Sequence, residues 1–229
     1  KPRAKAWSLE SRQLMSMEFK RRTESFPLES KTYKARFSRG RQYRNHLRAW
    51  VLFDQCGMRL SEVWGLRVKQ IESAIFTRKI ELTDIDMPGG RDKNGKRFRV
   101  VFNVKGGKNR TRFLSQEARD FLIEDMKTRI QGERWYLDTG DASNQFSLPS
   151  RLANVFIRVQ KNLGIHGEAK PTHGSRATLA TDLCKVNPYL AQQVLGHQDI
   201  STTISGYAAP VDNVVLDALD EREKPAQLQ

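Results

Sequence analysis

Between Pro171 and Tyr207 the chain reads PTHGSRATLATDLCKVNPYLAQQVLGHQDISTTISGY, the stretch that most restricts what it can fold into. Thr172 to Val186 predicts a helix, with Ala177, Leu179, Ala180 and Leu183 available for packing. His173 and Arg176 are three apart, so they project from one face and both polar heads can reach the same anion. Pro188 fits the first turn of a second helix, where its missing N–H is not needed. Leu190, Val194 and Leu195 give that helix an apolar stripe, and Gly196 ends it. His197 therefore sits at a helix terminus. Tyr207 follows a short polar segment, Asp199 to Gly206, beside Ala208 and Ala209, where little bulk shields its hydroxyl. Taken singly, His197 reads as a helix cap and Tyr207 as a half-buried aromatic.

Two upstream blocks change the weight of these residues. Tyr43 to Gln55 has Leu47, Trp50, Val51 and Phe53 at helical spacing, with Gly57 as its stop. Ser61 starts another helix carrying Glu62, Val63, Trp64 and Leu66, which leaves Arg59 in the turn between them. An Arg on a tight turn can offer its planar fork to a phosphate in bidentate fashion, which a Lys cannot; the alternative is an Arg paired with Glu62. Further on, Lys105-Gly106-Gly107-Lys108-Asn109 predicts a hairpin turn between strands Phe98–Val104 and Arg110–Leu114, where glycines let the backbone approach a ligand. Alone, these are two solvated turn lysines.

The order G-x-R-x-S-E-x-x-x-L (Gly57 to Leu66), Lys in a hairpin, H-x-x-R, L-G-H and Tyr resembles the tyrosine recombinase (phage-type integrase) family, over Gly57 to Tyr207. The resemblance implies an α+β, mainly helical catalytic-domain fold with a small antiparallel sheet. It implies a site made of Arg59, Lys105, His173, Arg176, His197 and the nucleophile Tyr207, with Lys108 as the alternative lysine and Glu62 orienting the others. Cutting and rejoining double-stranded DNA at a specific recombination site through a 3′-phosphotyrosine follows, with no cofactor, neither ATP nor a metal. Partners implied are a homo-tetramer on DNA and accessory DNA-bending proteins. One departure stands out: the family places the Tyr nine residues after the second His, and here the separation is ten. A type IB topoisomerase shares this chemistry, and a catalytically idle DNA-binding module would share the basic surface.

Composition agrees with a polyanionic partner. The 229 residues carry a net charge of +14, with a pI near 10.0, and no apolar run approaches the roughly 20 residues that span a bilayer. Cys56 and Cys184 suit neither a disulfide framework nor a zinc site, so a reducing cytosol, with the protein associated with the nucleoid, is the expected setting. The cluster Asp84, Asp86, Asp92, Asn94 fails as a calcium loop, because Pro88 and Gly95 stand where ligands are needed.

The expected organisation is a basic helix and linker over 1–42, a catalytic domain over 43–210 and a C-terminal tail over 211–229 that packs in cis or on a neighbouring subunit. Within the first, Leu9–Arg22 predicts a helix, and Arg36, Arg39, Arg41 and Arg44 are candidates to touch phosphates. The family's DNA-clamping domain would not fit ahead of Tyr43. Ala74–Thr77 and Lys79–Thr83 predict strands, Pro88-Gly89-Gly90 and Asn94-Gly95 predict turns, and Arg97–Val104 predicts the next strand. Ser115–Gln131, N-capped by Ser115, and Arg151–Leu163 predict scaffold helices. His46 reads as packed or solvent-facing, and His166 as a loop residue.

Overall fold

Helical spacing of apolar residues organises most of this chain, and the helices it produces surround one aromatic core. The structure, a computed structural model, describes residues 6–26, 39–82, 84–91, 97–103, 111–129, 135–137, 149–166, 170–195 and 199–207; for 84–91, 97–103, 149–150, 202 and 205–207 it describes the backbone alone. The element order is α1 (Leu9–Ser25), α2 (Arg39–Cys56), α3 (Leu60–Trp64), α4 (Val68–Thr77), β1 (Lys79–Glu81), β2 (Asp84–Arg91), β3 (Arg97–Asn103), β4 (Thr111–Phe113), α5 (Gln116–Met126), α6 (Pro149–Asn162), α7 (Pro171–Val186), α8 (Pro188–Leu195) and α9 (Ile200–Tyr207).

The aromatic core joins three helices. Trp50 and Phe53 of α2 meet Phe19 of α1 and Phe156 of α6, with Phe19 and Phe156 edge to face at 4.8 Å. Trp7, just ahead of α1, lies 5.9 Å from Trp50. The Trp50 indole N–H, which burial would otherwise strand, donates to Ser16 Oγ at 2.8 Å. Helix α1 thus shares the core of the residues that follow it, and Trp7, Met15 and Phe19 are fully enclosed.

Three sequence expectations need correction. Ala74–Thr77 is the end of α4 rather than a strand: buried Ile71 and Ala74, with Ile75 beside them, recur at helical spacing, and the face they bury overrides their β propensity. Pro88-Gly89-Gly90 lies within β2, and the ladder tolerates it through an irregularity in register between Pro88 and Arg91. The expected hairpin of Phe98–Val104 with Arg110–Leu114 is not the pairing found. Instead β3 pairs with β2, and β4 pairs with β1 (Lys79↔Phe113, Glu81↔Thr111), both antiparallel, so the two ladders are nested. Leu114 N–H bonding to Arg78 C=O at 3.0 Å continues the outer ladder towards α4. The Asn94-Gly95 turn and the Lys105–Asn109 turn lie outside the described residues.

The short polar segment Asp199–Gly206, to which the sequence assigned no element, is mostly α9. Asp199 caps it by accepting the Ser201 N–H at 2.8 Å, and Tyr207 is its last residue. Other expectations hold in place: Ser115 caps α5 by accepting the Ala118 N–H at 3.1 Å, and Pro188 is the first residue of α8; Asn187 ahead of it accepts the Tyr189 N–H at 2.8 Å. In α8 the buried residues are Ala191 and Leu195, while Leu190 is exposed.

The basic residues near the start of α2 do not form a surface. Arg41 is fully buried, and Arg44 and Arg48 both ion-pair with buried Asp125 of α5, at 3.0 and 2.8 Å. Arg39 remains exposed, and Arg36 is outside the described residues. Among the described residues no helix is long and apolar enough to cross a membrane.

Candidate active site

The turn after α2 begins with Gly57 in the left-handed region (φ 58°), which ends α2. A side chain there would also strike α7, because a Cβ at Gly57 would lie 2.8 Å from Leu179 Cδ2. Arg59 then takes an extended conformation at the start of α3, and its backbone N–H donates to Glu62 Oε2 at 2.8 Å. Its guanidinium Nη1 donates to Glu62 Oε1 at 3.1 Å, yet 38% of the side chain stays exposed. Arg59 is thus paired with Glu62 and still faces solvent.

Glu62 is buried and serves a second arginine. Arg112 of β4, with 0% of its side chain exposed, donates Nε to Oε2 at 3.1 Å and Nη2 to Oε1 at 2.7 Å. Burial alone would raise the Glu62 pKa, but the charge and hydrogen bonds of Arg112, aided by the Arg59 N–H and charge, bring it below its ordinary value. A carboxyl lowered in the folded state contributes stability that is present above its unfolded pKa and lost as pH falls through the folded one. At neutral pH Glu62 is an anion fixed between two cations.

Arg176 of α7 is buried and ties the same turn to α8. It donates Nη1 to the Gly57 carbonyl and Nη2 to the Leu195 carbonyl, the latter at 2.6 Å. Arg112 Nη1 also reaches α8, donating to Val194 C=O at 3.0 Å. Two guanidiniums therefore meet the last carbonyls of α8, where the helix dipole and its unpaired acceptors favour cations. His197 lies two residues beyond Leu195 in sequence and is itself outside the described residues.

His173, one turn before Arg176, is exposed, and its Nδ1 lies 3.3 Å from Thr172 Oγ1. The roll of α7 is set from the opposite side. Trp7 N–H donates to Thr178 Oγ1 at 2.6 Å, and the indole lies so close to Gly174 that a Cβ there would fall 1.9 Å from Trp7 Nε1. Helix α9 packs on α7 and α8, and brings the backbone of Tyr207 to its C-terminal end. An extra residue ahead of Tyr207 thus falls within or beside a helix, where each residue turns the side chain by about 100°.

Of the six predicted site residues, Arg59 and Arg176 meet around one turn, and His173 stands on the same helix as Arg176. Lys105, its alternative Lys108, and His197 are outside the described residues, as is the Tyr207 side chain. Sequence reasoning missed Arg112, although a signal was there. Thr111-Arg112-Phe113-Leu114 alternates, and period two puts Arg112 on the buried side with Leu114. Among the described residues one carboxylate, Glu62, is shared by two arginines, Arg59 and Arg112, and Arg176 bonds to the Gly57 carbonyl of the same turn. Such an excess of cations suits an anionic ligand. No group of His, Cys, Asp and Glu suited to a metal ion occurs among the described residues.

These features match a known family. The chain fits the phage integrase family model over residues 41–213 and belongs to that family. It is similar to tyrosine recombinase XerC of Lactobacillus delbrueckii subsp. bulgaricus, 29% identical over 163 residues, covering 67% of this chain and 46% of XerC. The chain thus spans about half the length of the curated relatives it matches. Its fold is similar to that of the Tn1549 transposon integrase in complex with transposon right end DNA (TM-score 0.63, 19% identity, 97% of this chain and 66% of that one). It is also similar to XerH recombinase bound to difH substrate in a pre-cleavage complex (TM-score 0.60, 15% identity, 96% and 55%). The expected architecture, mainly helical with a small antiparallel sheet, is the one found.

Proposed function

We propose that this chain is the catalytic part of a site-specific DNA recombinase that cuts and rejoins double-stranded DNA through a 3′-phosphotyrosine. Arg59 and Arg176 bind the non-bridging oxygens of the scissile phosphate and offset the charge that builds there. The Tyr207 phenolic oxygen bonds to phosphorus as the bond to the 5′ oxygen breaks. His173 accepts the phenol proton, and Lys105 protonates the departing 5′ oxygen. His197 donates a hydrogen bond to the phosphate. The phosphotyrosine keeps the bond energy, so the 5′ hydroxyl of a second strand reverses the step, releasing the phenol. A phenol of pKa about 10 is mostly protonated at neutral pH, so the reaction needs such assistance.

The observation that carries this reading is Arg176, which links the Arg59 turn and the end of α8 through one side chain. In support, the Tn1549 integrase and XerH structures hold DNA, and the chain is strongly basic. The same reading includes assembly as a tetramer on DNA, with accessory bending proteins and a nucleoid location.

A suicide DNA substrate bearing a nick tests the chemistry. The unsubstituted chain is expected to form a covalent adduct, and Tyr207→Phe to form none while its DNA affinity changes less than about twofold, since phosphate contacts dominate affinity. Adduct persisting in Tyr207→Phe overturns the nucleophile assignment. DNA binding with no adduct from either chain favours an idle binding module.

A further inference from the structure

Arg112 occupies a place that no role assigned above explains. It is an arginine with no exposed side chain, on a three-residue strand, and its guanidinium makes a second link, beside that of Arg176, between two parts of the site. On one side are both oxygens of Glu62, which also receives the Arg59 backbone and side chain. On the other is the Val194 carbonyl, one residue before the carbonyl that Arg176 holds. A fourth bond, to the carbonyl of neighbouring Thr111 at 3.2 Å, anchors the head to β4 itself. Arg112 and Arg176 thus form two parallel struts from the Gly57–Glu62 turn to the end of α8.

We propose that Arg112 is a positioning residue for strand cleavage: through Glu62 it sets Arg59, and through the Val194 carbonyl it holds the C-terminal end of α8 against that pair. Three fixed bond directions are needed, two towards a carboxylate and one towards a carbonyl beyond it. A planar guanidinium supplies them, whereas an ammonium keeps the charge as a point and loses the span. Misplacement of reacting groups by about 1 Å can cost on the order of 100-fold in rate. The proposal rests on the recombinase reading above.

The test compares Arg112→Lys with the unsubstituted chain and with the double variant Glu62→Gln/Arg112→Met, which leaves no lone charge buried. Three quantities are measured: urea midpoint, affinity for an intact recombination site, and single-turnover rate of adduct formation on the nicked substrate. Arg112→Lys is expected to keep a nearly unchanged midpoint, because Glu62 remains neutralised, and DNA affinity within about twofold, while cleavage slows at least ~10-fold. The double variant is expected to fold and to cleave as slowly or more slowly. A folded Arg112→Lys that cleaves at the unsubstituted rate overturns the positioning role. So does a rate loss matched by an equal loss of folded protein, since packing alone then accounts for it. Absence of adduct from the unsubstituted chain overturns the recombinase reading first, and this inference with it.

Discussion

Two buried carboxylates, Asp125 and Glu62, each hold two arginines, and they do different things with them. Asp125 lies fully enclosed on α5, where Arg48 and Arg44 pair with it and the Tyr136 hydroxyl donates to it at 3.1 Å. Its surroundings are largely enclosed: Arg48 is completely buried, with Asn45 taking another of its donors, and Arg44 is only 20% exposed. Glu62 has the same partner chemistry, but Arg59 opens to solvent, and Arg112 continues to a helix end. The lesson is that an arginine pair on a carboxylate is structural where the excess charge is sealed in. It becomes a candidate site where that excess reaches the surface.

The largest way to break this comparison is at the sealed end. Asp125→Ala leaves Arg48 and Arg44 without their shared anion, which should cost about 3–5 kcal/mol in denaturant unfolding. The protein that remains folded should still form adduct at the unsubstituted rate. Selective loss of cleavage by that folded fraction would mean that the two centres are not functionally distinct.

A smaller effect comes from His46, on the same helix as Arg44 and Arg48. Its Nδ1 is buried with no hydrogen-bond partner among the described residues. Burial, and then the charge of Arg22, lowers its pKa from 6.5 to about 4. The unfolded chain binds the proton more readily, so stability should decline as pH falls from about 6.5 towards 4, by up to about 3 kcal/mol. His46→Gln should flatten that slope when unfolding free energy is measured across this range. An unchanged slope would move the acid sensitivity to other groups.

The smallest effect is expected at Glu18, a third carboxylate with two arginines. Hydrogen bonds first from Arg21 and then from Arg22 lower its pKa to about 2, but the Arg21 side chain is 65% exposed. Water and salt screen such a pair, so Glu18→Ala should cost less than about 1 kcal/mol, and less still in high salt. A salt-independent loss above that range would show that exposure is the wrong criterion for separating these centres.

Much of the helical frame and half of the candidate site were legible in the sequence. Pro188 and Gly57 marked boundaries because their backbone limits are local, and the apolar period around Trp50 was long enough to be unambiguous. The sheet was less legible because strand pairing is non-local: nothing inside Thr111–Phe113 announces Lys79–Glu81 as its partner. α4 was partly misread, since its second half is short and rich in residues that also suit strands. α9 carried a local signal in Asp199, whose side chain caps the Ser201 N–H, but a helix of eight residues offers little periodicity to confirm it. Arg59, His173 and Arg176 could be named from their motif, whereas Arg112 required knowing which strand faces the core.

The contact of Trp7 with Gly174 and Thr178 has a mechanical consequence. The indole seats directly against the turn of α7 between His173 and Arg176, so the chain ahead of α1 is attached to the helix that bears both residues. Force or rotation applied before Trp7 is delivered to that helix with only a few rotatable bonds between. An affinity tag or a fused domain joined immediately upstream of residue 6 therefore grips α7 directly, and a spacer there decides whether the handle is inert.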